Sequence, residues 1–297
     1  MNDQRTLILL DNGSTRAQST LSLRRISSAL SERVGEFVHP VSLMHADKVS
    51  VDALEGCPAD TFEPFLRARA LAGERRFLIL PLFFGPSRAL SAFVPEKAEQ
   101  IGADFGPLSL RIADILCPLP HGEPRLAEIL LDNLLHCAKE TEFLPKRIVL
   151  VDHGSPIPAV TTVRRSLAAD LRQCLGTGVR VDEAVMERRT GVEYDFNGDL
   201  LENLLRQLAE EDRNTPVILS MLFMFAGRHA GPNGDIERIY RTVEREFPGF
   251  RVHQGPLVSD HPRLVDILQS RLEAALAPIP SHLPEGNKMH PQRGFSL

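Results

Sequence analysis

The chain is internally duplicated, because three short motifs recur in the same order in its two halves. The segment LLDNGS at residues 9–14 resembles LVDHGS at 150–155, so the shared aspartate recurs after 152 − 11 = 141 positions. Leu82-Phe83 with Arg88 resembles 222–223 with 228, after 228 − 88 = 140 positions, and PRL at 124–126 recurs at 262–264, after 262 − 124 = 138 positions. Three nearly constant offsets, with a period too long for a solenoid, predict two tandem copies of one domain.

Each half alternates strand-like and helix-like patterns. In the second half, short apolar runs predict strands at residues 147–152, 179–185, 217–223 and 252–258. Between and after these runs, apolar residues at helical spacing predict helices at 158–175, 195–210, 235–247 and 261–276. The first half follows the same order, with strands near 6–10, 35–43, 77–82 and 108–116. The pattern therefore predicts an α/β fold of two domains, each a four-stranded parallel sheet flanked by helices.

The predicted division places one domain at residues 1–140 and the second at 141–277, with the link near 141–146. A chain of 297 residues is long enough for two domains, each with a core of its own. The tail, residues 278–297, is rich in Pro, Gly, His and Ser, and we expect it to be disordered.

Composition excludes several classes of protein. The formal net charge of −5 and the absence of a Lys/Arg run argue against nucleic-acid binding. No apolar stretch reaches the roughly 18 residues that span a bilayer, and Leu7–Leu10 is too short for a signal peptide, so we expect a cytoplasmic protein with no membrane partner. Cys57, Cys117, Cys137 and Cys174 form no CxxC pair and are expected to be free thiols in or near the core.

Two histidines follow predicted strands of the second half at the point where each strand ends. His153 follows the first strand and His229 follows the third, 229 − 153 = 76 residues later. In the expected 2-1-3-4 strand order these strands are neighbours, and ligands bind such sheets beyond the carboxyl ends of the strands. Either histidine alone is most simply a structural residue. Together they predict a shared site, because paired imidazoles bind Co, Ni, Fe or Zn.

The first half departs from this pattern. Asn12 stands where the second half has His153, and Ala89 stands where it has His229. Asparagine is a poor ligand for these metals and cannot act as a base near neutral pH. We therefore expect the first half to keep the fold without a metal site, and to form the opposite wall of the cleft through residues 85–88.

The same motifs resemble a known family. They are LVDHGS at 150–155, LFMFAGRH at 222–229 followed by GDI at 234–236, and PLV at 256–258 followed by HPRL at 261–264. Together they resemble the sirohydrochlorin cobaltochelatase family of the CbiX type, part of the chelatase superfamily that includes ferrochelatase. The resemblance extends through both halves to about residue 276.

The resemblance implies two tandem Rossmann-like, chelatase-like domains and a lyase that inserts Co²⁺ or Fe²⁺ into sirohydrochlorin, in cobalamin or siroheme biosynthesis. It implies that His153 and His229 are catalytic and bind the metal. Ni²⁺ stays open as a third metal, and no cofactor is expected beyond the divalent metal ion that is the substrate. Small family members are symmetric dimers of one domain, so a fused duplication is compatible with a monomer.

Further residues near these loops are candidates for the site. Glu187, after the second strand, is a candidate third metal ligand. Asp235 either orients His229 or caps the following helix. Substrate contacts are predicted at Arg228, Arg88, Ser155 and Asp235. Because arginine pairs well with carboxylates, Arg164, Arg188 and Arg189 are additional candidates.

One alternative stays open, namely a non-catalytic metal- or tetrapyrrole-binding protein of the metallochaperone kind. A histidine phosphatase is disfavoured, because its Arg-His-Gly motif follows the first strand, whereas Ala230 follows Arg228-His229 here. A dinucleotide-binding domain is disfavoured because no GxGxxG follows either first strand. Ser14 and Ser155 are disfavoured as nucleophiles because no GxSxG surrounds them.

Overall fold

The computed structural model describes residues 5–278, and the structural statements concern that part of the chain. It contains two parallel sheets, one built from each half. The strands of the first sheet are β1 Thr6–Asp11, β2 Val38–Ser42, β3 Asp60–Thr61, β4 Arg76–Pro81 and β5 Ser109–Ile112. The strands of the second sheet are β6 Arg147–Asp152, β7 Arg180–Val185, β8 Val217–Met221 and β9 Val252–Gln254.

Helices connect the strands and cover both sheets. In the first half they are α1 Ala17–Val34, α2 Phe62–Leu71, α3 Val94–Phe105 and α4 Pro124–Glu140. In the second half they are α5 Pro158–Leu175, α6 Leu201–Glu211, α7 Asp235–Glu246 and α8 Arg263–Leu276. The central strands β1, β6 and β8 are buried along their whole length, as expected for sheets covered on both faces.

The predicted fold class is confirmed, and the second sheet has the expected order β7-β6-β8-β9. The first sheet, ordered β3-β2-β1-β4-β5, has one strand more than predicted. The additional strand, β3, has two residues and is too short to produce an alternating sequence pattern. The helix predicted at 195–210 begins later, at Leu201, because residues 192–197 form a 3₁₀ turn that ends at Gly198 with φ 80°. The strand predicted at 252–258 stops at Gln254, shortly before Pro256.

The fourth helix of each half packs across the molecule. Helix α4 contacts α5 and β8 of the second half, and α8 contacts α1 and β4 of the first half. The amide of Asn133 on α4 donates to the carbonyl of Leu257 at 3.2 Å, and Arg33 on α1 pairs with Asp266 on α8 at 2.5 Å. One continuous apolar cluster therefore joins both sheets. The boundary proposed at residues 140/141 stays a prediction, and the two halves share much of their core.

A buried carboxylate connects α4 and α8, which each pack against the other half of the molecule. Glu123, 6% exposed, caps the start of α4 and accepts from Arg125 at 2.8 and 2.9 Å and from Arg271 of α8 at 2.8 Å. Burial alone would raise the pKa of the Glu123 carboxyl, but the two guanidinium groups outweigh it and lower that pKa. Arg125 also donates to Ser270 of α8 at 2.9 Å, so the cluster connects the two halves.

The two halves differ at the aspartate that ends the first strand of each. In the second half, Asp152 pairs with Arg164 of α5 at 2.7 Å. Helices α1 and α5 have equal length and start 158 − 17 = 141 residues apart, so Leu23 of α1 occupies the position of Arg164. Asp11 therefore has no guanidinium partner, and its Oδ1 forms no hydrogen bond in the described part of the chain. Burial raises the pKa of Asp11 to about 6, although a hydrogen bond with Ser42 acts in the opposite direction.

The predictions for the cysteines, for membrane-spanning segments and for the C-terminal tail have different outcomes. All four cysteines are free, but Cys57 and Cys174 are exposed, so the expected place in or near the core is correct only for Cys117 and Cys137. Among the described residues, no helix has both the length and the apolar character that crossing a bilayer requires. The predicted tail lies, apart from residue 278, outside the described residues.

Replacing Glu123 by Ala is expected to lower the free energy of unfolding by about 3 kcal/mol, because two partly buried arginines lose their shared partner. Urea unfolding at neutral pH measures the effect. The exposed Glu32 of α1 supplies the control, since Glu32→Ala is expected to change stability by less than about 0.5 kcal/mol. Equal stability of the two variants would mean that Glu123 does not hold the helices together.

The raised pKa of Asp11 predicts how the free energy of unfolding changes with pH. Its folded pKa, about 6, lies above the unfolded value near 3.8, so its stabilising protonation is complete below pH 4 and is lost as the pH rises through 6. Wild type should therefore lose about 2.5 kcal/mol between pH 4 and pH 7.5 relative to Asp11→Asn. Unfolding curves at both pH values measure the difference. Asp47→Asn, at an exposed position, is the control, and a wild-type difference no larger than this control would contradict the assignment.

Candidate metal site

The ends of β6 and β8 bring the two predicted histidines together. These strands are adjacent and parallel, with Val151 in register with Met221, and His153 and His229 lie in the loops that follow them. The imidazole centroids are 4.8 Å apart and the ring planes are inclined at 78°. The predicted juxtaposition of the two histidines is therefore present in the structure, and their chemical role rests on the groups around them.

His229 is held by a carboxylate. Its Nδ1 lies 2.6 Å from Oδ2 of Asp235, the first residue of α7. Arg238, one turn further along α7, pairs with the other oxygen of Asp235, and Arg228 Nε lies 3.6 Å from Oδ2. Burial alone would raise the pKa of Asp235, but the hydrogen bond from His229 and the two arginines outweigh it and lower that pKa. Asp235 is therefore an ionised acceptor, and His229 donates from Nδ1.

His153 is held by its own loop. Its Nδ1 lies 3.1 Å from the carbonyl oxygen of Gly154, which can only accept a hydrogen bond, so Nδ1 carries the proton. Its Nε2 lies 3.4 Å from Oε1 of Glu187, in the loop after β7. Side chains of His153 and Glu187 are 47% and 61% exposed, so both are accessible to an ion from solvent.

In both histidines Nε2 is therefore the nitrogen that can offer a lone pair to an ion, and Nε2 of His153 also lies 3.4 Å from the Glu187 carboxylate. Histidines that bind metals usually donate their other ring N–H to a carboxylate or a carbonyl, as Asp235 and Gly154 accept here. Within residues 5–278, no three His, Cys, Asp or Glu side chains converge closely enough to form a ready-made metal site. Glu187 therefore stays a predicted third ligand, one that would have to move to join the two imidazoles.

The asparagine and arginine of the first half face the same cleft. Between the halves, a cavity of about 470 Å³ is lined by His153 and Ser155 on one side and by Asn12 and Arg88 on the other. Apolar side chains form much of its wall, namely Phe83, Phe84, Pro86, Ile157, Val160, Leu222 and Met224. A second cavity, of about 540 Å³, is lined by His229, Glu187, Glu202, Arg228, Asp235 and Arg238. The site therefore lies between an apolar cleft and a polar one.

The candidate arginines separate into two groups. Arg88 and Arg228 are exposed and line the cavities, so both positions fit a contact with an acidic ligand. Arg188 and Arg189 are exposed, with Arg188 paired to Asp195 at 3.1 Å. The prediction is wrong for Arg164, which is 2% exposed and paired within the protein, because the apolar face of α5 turns it towards Asp152.

Two other residues that were predicted to contact the substrate, Ser155 and Asp235, already form hydrogen bonds within the protein. The Ser155 hydroxyl accepts from the backbone N–H of Ile157 at 3.1 Å, although Ser155 still lines the interdomain cavity. Asp235 does not form a side-chain cap, since Gly234 occupies the cap position of α7, and its hydrogen bond instead fits the role of orienting His229.

Sequence reasoning missed several residues of the site. Arg238 could have been found, because it stands three residues after Asp235 on the same face of α7. Asn197 and Glu202 both lie within residues 195–210, which were predicted as one continuous helix, so the misplaced helix start concealed them. The Asn197-Gly198 pair was the available turn signal.

Gly154 is required by the geometry of the loop. It adopts φ +90°, and a Cβ there would overlap the carbonyl oxygen of Glu187. Gly154→Ala is therefore expected to push apart the loops of His153 and Glu187, and to weaken Co²⁺ binding at least tenfold. Gly176→Ala is the control, because Gly176 also has positive φ, +71°, but open space around its Cβ position. Isothermal titration with Co²⁺ measures both variants, and equal affinities would contradict the steric argument.

Comparison with known proteins agrees with this architecture. The CbiX family model matches residues 147–275. SirB from Bacillus subtilis, solved with Fe³⁺, has a TM-score of 0.65 at 14% identity, covering 92% of this chain and 96% of that chain. The sirohydrochlorin chelatase SirB from Bacillus subtilis subspecies spizizenii, solved in complex with cobalt, has a TM-score of 0.60 at 15% identity, covering 92% and 95%.

A third structure is that of CbiX, described as the terminal enzyme for biosynthesis of siroheme in denitrifying bacteria. It has a TM-score of 0.58 at 15% identity and covers 92% of this chain and 100% of that chain. No curated protein matches the sequence. At these identities the structures show the fold, while the family match falls on the half that carries both histidines. Residues 147–275 therefore resemble the CbiX family, in a chain with the fold of the sirohydrochlorin chelatases.

Proposed function

We propose that this protein is a chelatase that inserts a divalent metal ion into a tetrapyrrole of the sirohydrochlorin type. One observation carries the proposal, namely the pair of imidazoles 4.8 Å apart whose Nδ1 atoms are both engaged and whose Nε2 atoms remain available. The CbiX match over 147–275 and the metals named for the two SirB structures support it.

The reaction needs two things from the protein. A partly dehydrated M²⁺ ion must be delivered to the macrocycle, and two protons must leave the pyrrole nitrogens. A neutral imidazole can hold such an ion through Nε2, and a second neutral imidazole can accept a proton through the same atom. His153 and His229 supply both groups at one edge of the second sheet.

The surroundings favour a division of these roles. The carboxylate of Asp235 would stabilise the imidazolium that forms when His229 accepts a proton. Glu187 stands beside Nε2 of His153, where a carboxylate oxygen adds a second donor for the ion. We therefore assign the initial binding of the ion to both imidazoles with Glu187 as third ligand, and its delivery to His153. Once its Nε2 has released the ion, His229 accepts the two pyrrole protons in turn and passes each to solvent through the polar cavity.

The two cavities suit the two substrates. The interdomain cavity presents apolar side chains such as Phe84 and Met224, which suit the face of a macrocycle. Arg88, at the same cavity, can pair with peripheral carboxylates, and Arg228 can do so from the neighbouring cavity. The cavity with Glu187 and Glu202 is polar and open to solvent, so it can admit the hydrated ion.

The finer assignments belong to the same proposal. Co²⁺ or Fe²⁺ is the expected metal, which would place the protein in cobalamin or siroheme biosynthesis as a lyase, and Ni²⁺ is a third candidate because paired imidazoles accept all three. The divalent ion is a substrate, and no further cofactor is proposed. We also propose a cytoplasmic protein that acts as a monomer, without nucleic-acid or membrane partners.

The direct test is an anaerobic absorbance assay with sirohydrochlorin and Co²⁺, Fe²⁺ or Ni²⁺ in turn. The wild type is expected to metallate many equivalents of substrate per protein, faster than the spontaneous reaction. His153→Ala and His229→Ala are each expected to lower kcat/KM by about 100-fold or more. His136→Ala is the control, because His136 is exposed on α4 and contacts only Glu140 of the same helix among the described ion pairs.

The outcomes separate the two functions under consideration. Multiple turnover that needs both histidines supports a chelatase and ranks its metals. Stoichiometric binding of ion or macrocycle without turnover would instead support a metal- or tetrapyrrole-binding protein. Near-normal turnover by either histidine variant would show that the site assignment is wrong.

A further inference from the structure

A buried polar cluster lies directly beneath the loop of His153. Its members are Arg164 of α5, Asp152 at the end of β6, and Asn197 in the turn before α6, and they are 2%, 6% and 1% exposed. Arg164 donates to Asp152 Oδ1 at 2.7 Å and to the carbonyl of Asn197 at 2.5 Å. One guanidinium group therefore joins a strand end to a turn that is 197 − 152 = 45 residues away in sequence.

This cluster holds the backbone immediately after His153 at three points. Asp152 Oδ1 accepts from the N–H of Gly154 at 3.1 Å. Asn197 accepts from the N–H of Ser155 at 3.1 Å and donates to its carbonyl at 3.0 Å. The carbonyl of Gly154, which accepts from Nδ1 of His153, lies between these anchored groups. The cluster thereby determines where the acceptor for the His153 ring stands.

The first half shows that the fold does not need this arginine. Leu23 takes the place of Arg164, β1 and α1 retain the bounds of their counterparts, and Asp11 lacks the ion pair. Asn12 takes the place of His153 in that same half. Burying a guanidinium group costs free energy even when the group is paired. The first half shows that a leucine can occupy the equivalent position. The arginine is present only in the half that has the histidine.

We propose that Arg164, together with Asp152 and Asn197, is a positioning residue that orients His153 for metal binding. The inference rests on the proposed function, since it gives the cluster a role in that same site. Partners of a metal ligand that fix its orientation typically contribute 10–100-fold to metal affinity. The cluster acts through the backbone, and none of its side chains is proposed to touch the ion.

The test places the leucine of the first half in the second half. The double variant Arg164→Leu with Asp152→Asn removes both buried charges together, so that neither is left unpaired. Glu183, which also contacts Arg164 at 3.5 Å, keeps its ion pair with Arg172 at 3.1 Å. We expect it to bind Co²⁺ about 10–100-fold more weakly than wild type, and to show an altered visible spectrum of the bound Co²⁺. The spectrum reports ligand geometry, which a loss of stability alone would not change in the folded fraction.

Arg165→Leu is the matched control, because Arg165 is the next residue of α5, is exposed, and donates to Phe196 of the same turn at 2.8 Å. It should bind Co²⁺ as wild type does. Asn197→Ala is a second test that keeps the Arg164–Asp152 ion pair, and it is expected to weaken Co²⁺ binding in the same way. It decides the question if the double variant does not fold.

The failures of the two proposals are distinguishable. The positioning role would be overturned if the folded double variant, or Asn197→Ala, bound Co²⁺ with wild-type affinity and spectrum. The metal site would still stand in that case, provided that Co²⁺ binding depends on His153. Co²⁺ binding by wild type that is unaffected by His153→Ala would overturn the proposed site itself, and the positioning role with it.

Discussion

The parallel pairing of β6 with β8 brings His153 and His229 to one edge of the second sheet, although 229 − 153 = 76 residues separate them in sequence. Both strands are fully buried, so burial of their apolar side chains fixes their register and with it the positions of the two loops. Asp235 and the Gly154 carbonyl then determine which ring nitrogen of each histidine remains available. The chemistry of the site thus follows from strand order first and from local hydrogen bonds second.

The two copies of the domain share a fold but carry different side chains at the cleft. The first half retains the sheet and the glycine turn at Gly13. It carries Asn12, Leu23 and Met44 where the second half has His153, Arg164 and Glu187. Its loop at residues 82–88 instead lines the cleft opposite His153. Exchange of α4 and α8 between the halves keeps both walls of this cleft in one core. The first half therefore contributes shape and Arg88, while the second contributes the imidazoles.

Much of this arrangement could be predicted from the sequence, and the exceptions have physical causes. The strand at 147–152, the strand predicted at 217–223 and observed at 217–221, and the neighbouring histidines follow from hydrophobic pattern and topology. The exchange of α4 and α8 does not, because an amphipathic helix has the same pattern whichever sheet it covers. Arg164 was misplaced because arginine is rarely buried, and only tertiary structure reveals its partner Asp152. The short strand Asp60–Thr61 exists only through its pairing with β2.

The central claim is that a divalent ion binds between His153 and His229, and anomalous diffraction from crystals of the wild-type protein soaked in Co²⁺ tests it most directly. We expect one strong cobalt peak within bonding distance of Nε2 of both imidazoles, with Glu187 turned towards it and the contacts to Asp235 and the Gly154 carbonyl preserved. A cobalt peak elsewhere, with both Nε2 atoms free of metal, would contradict it.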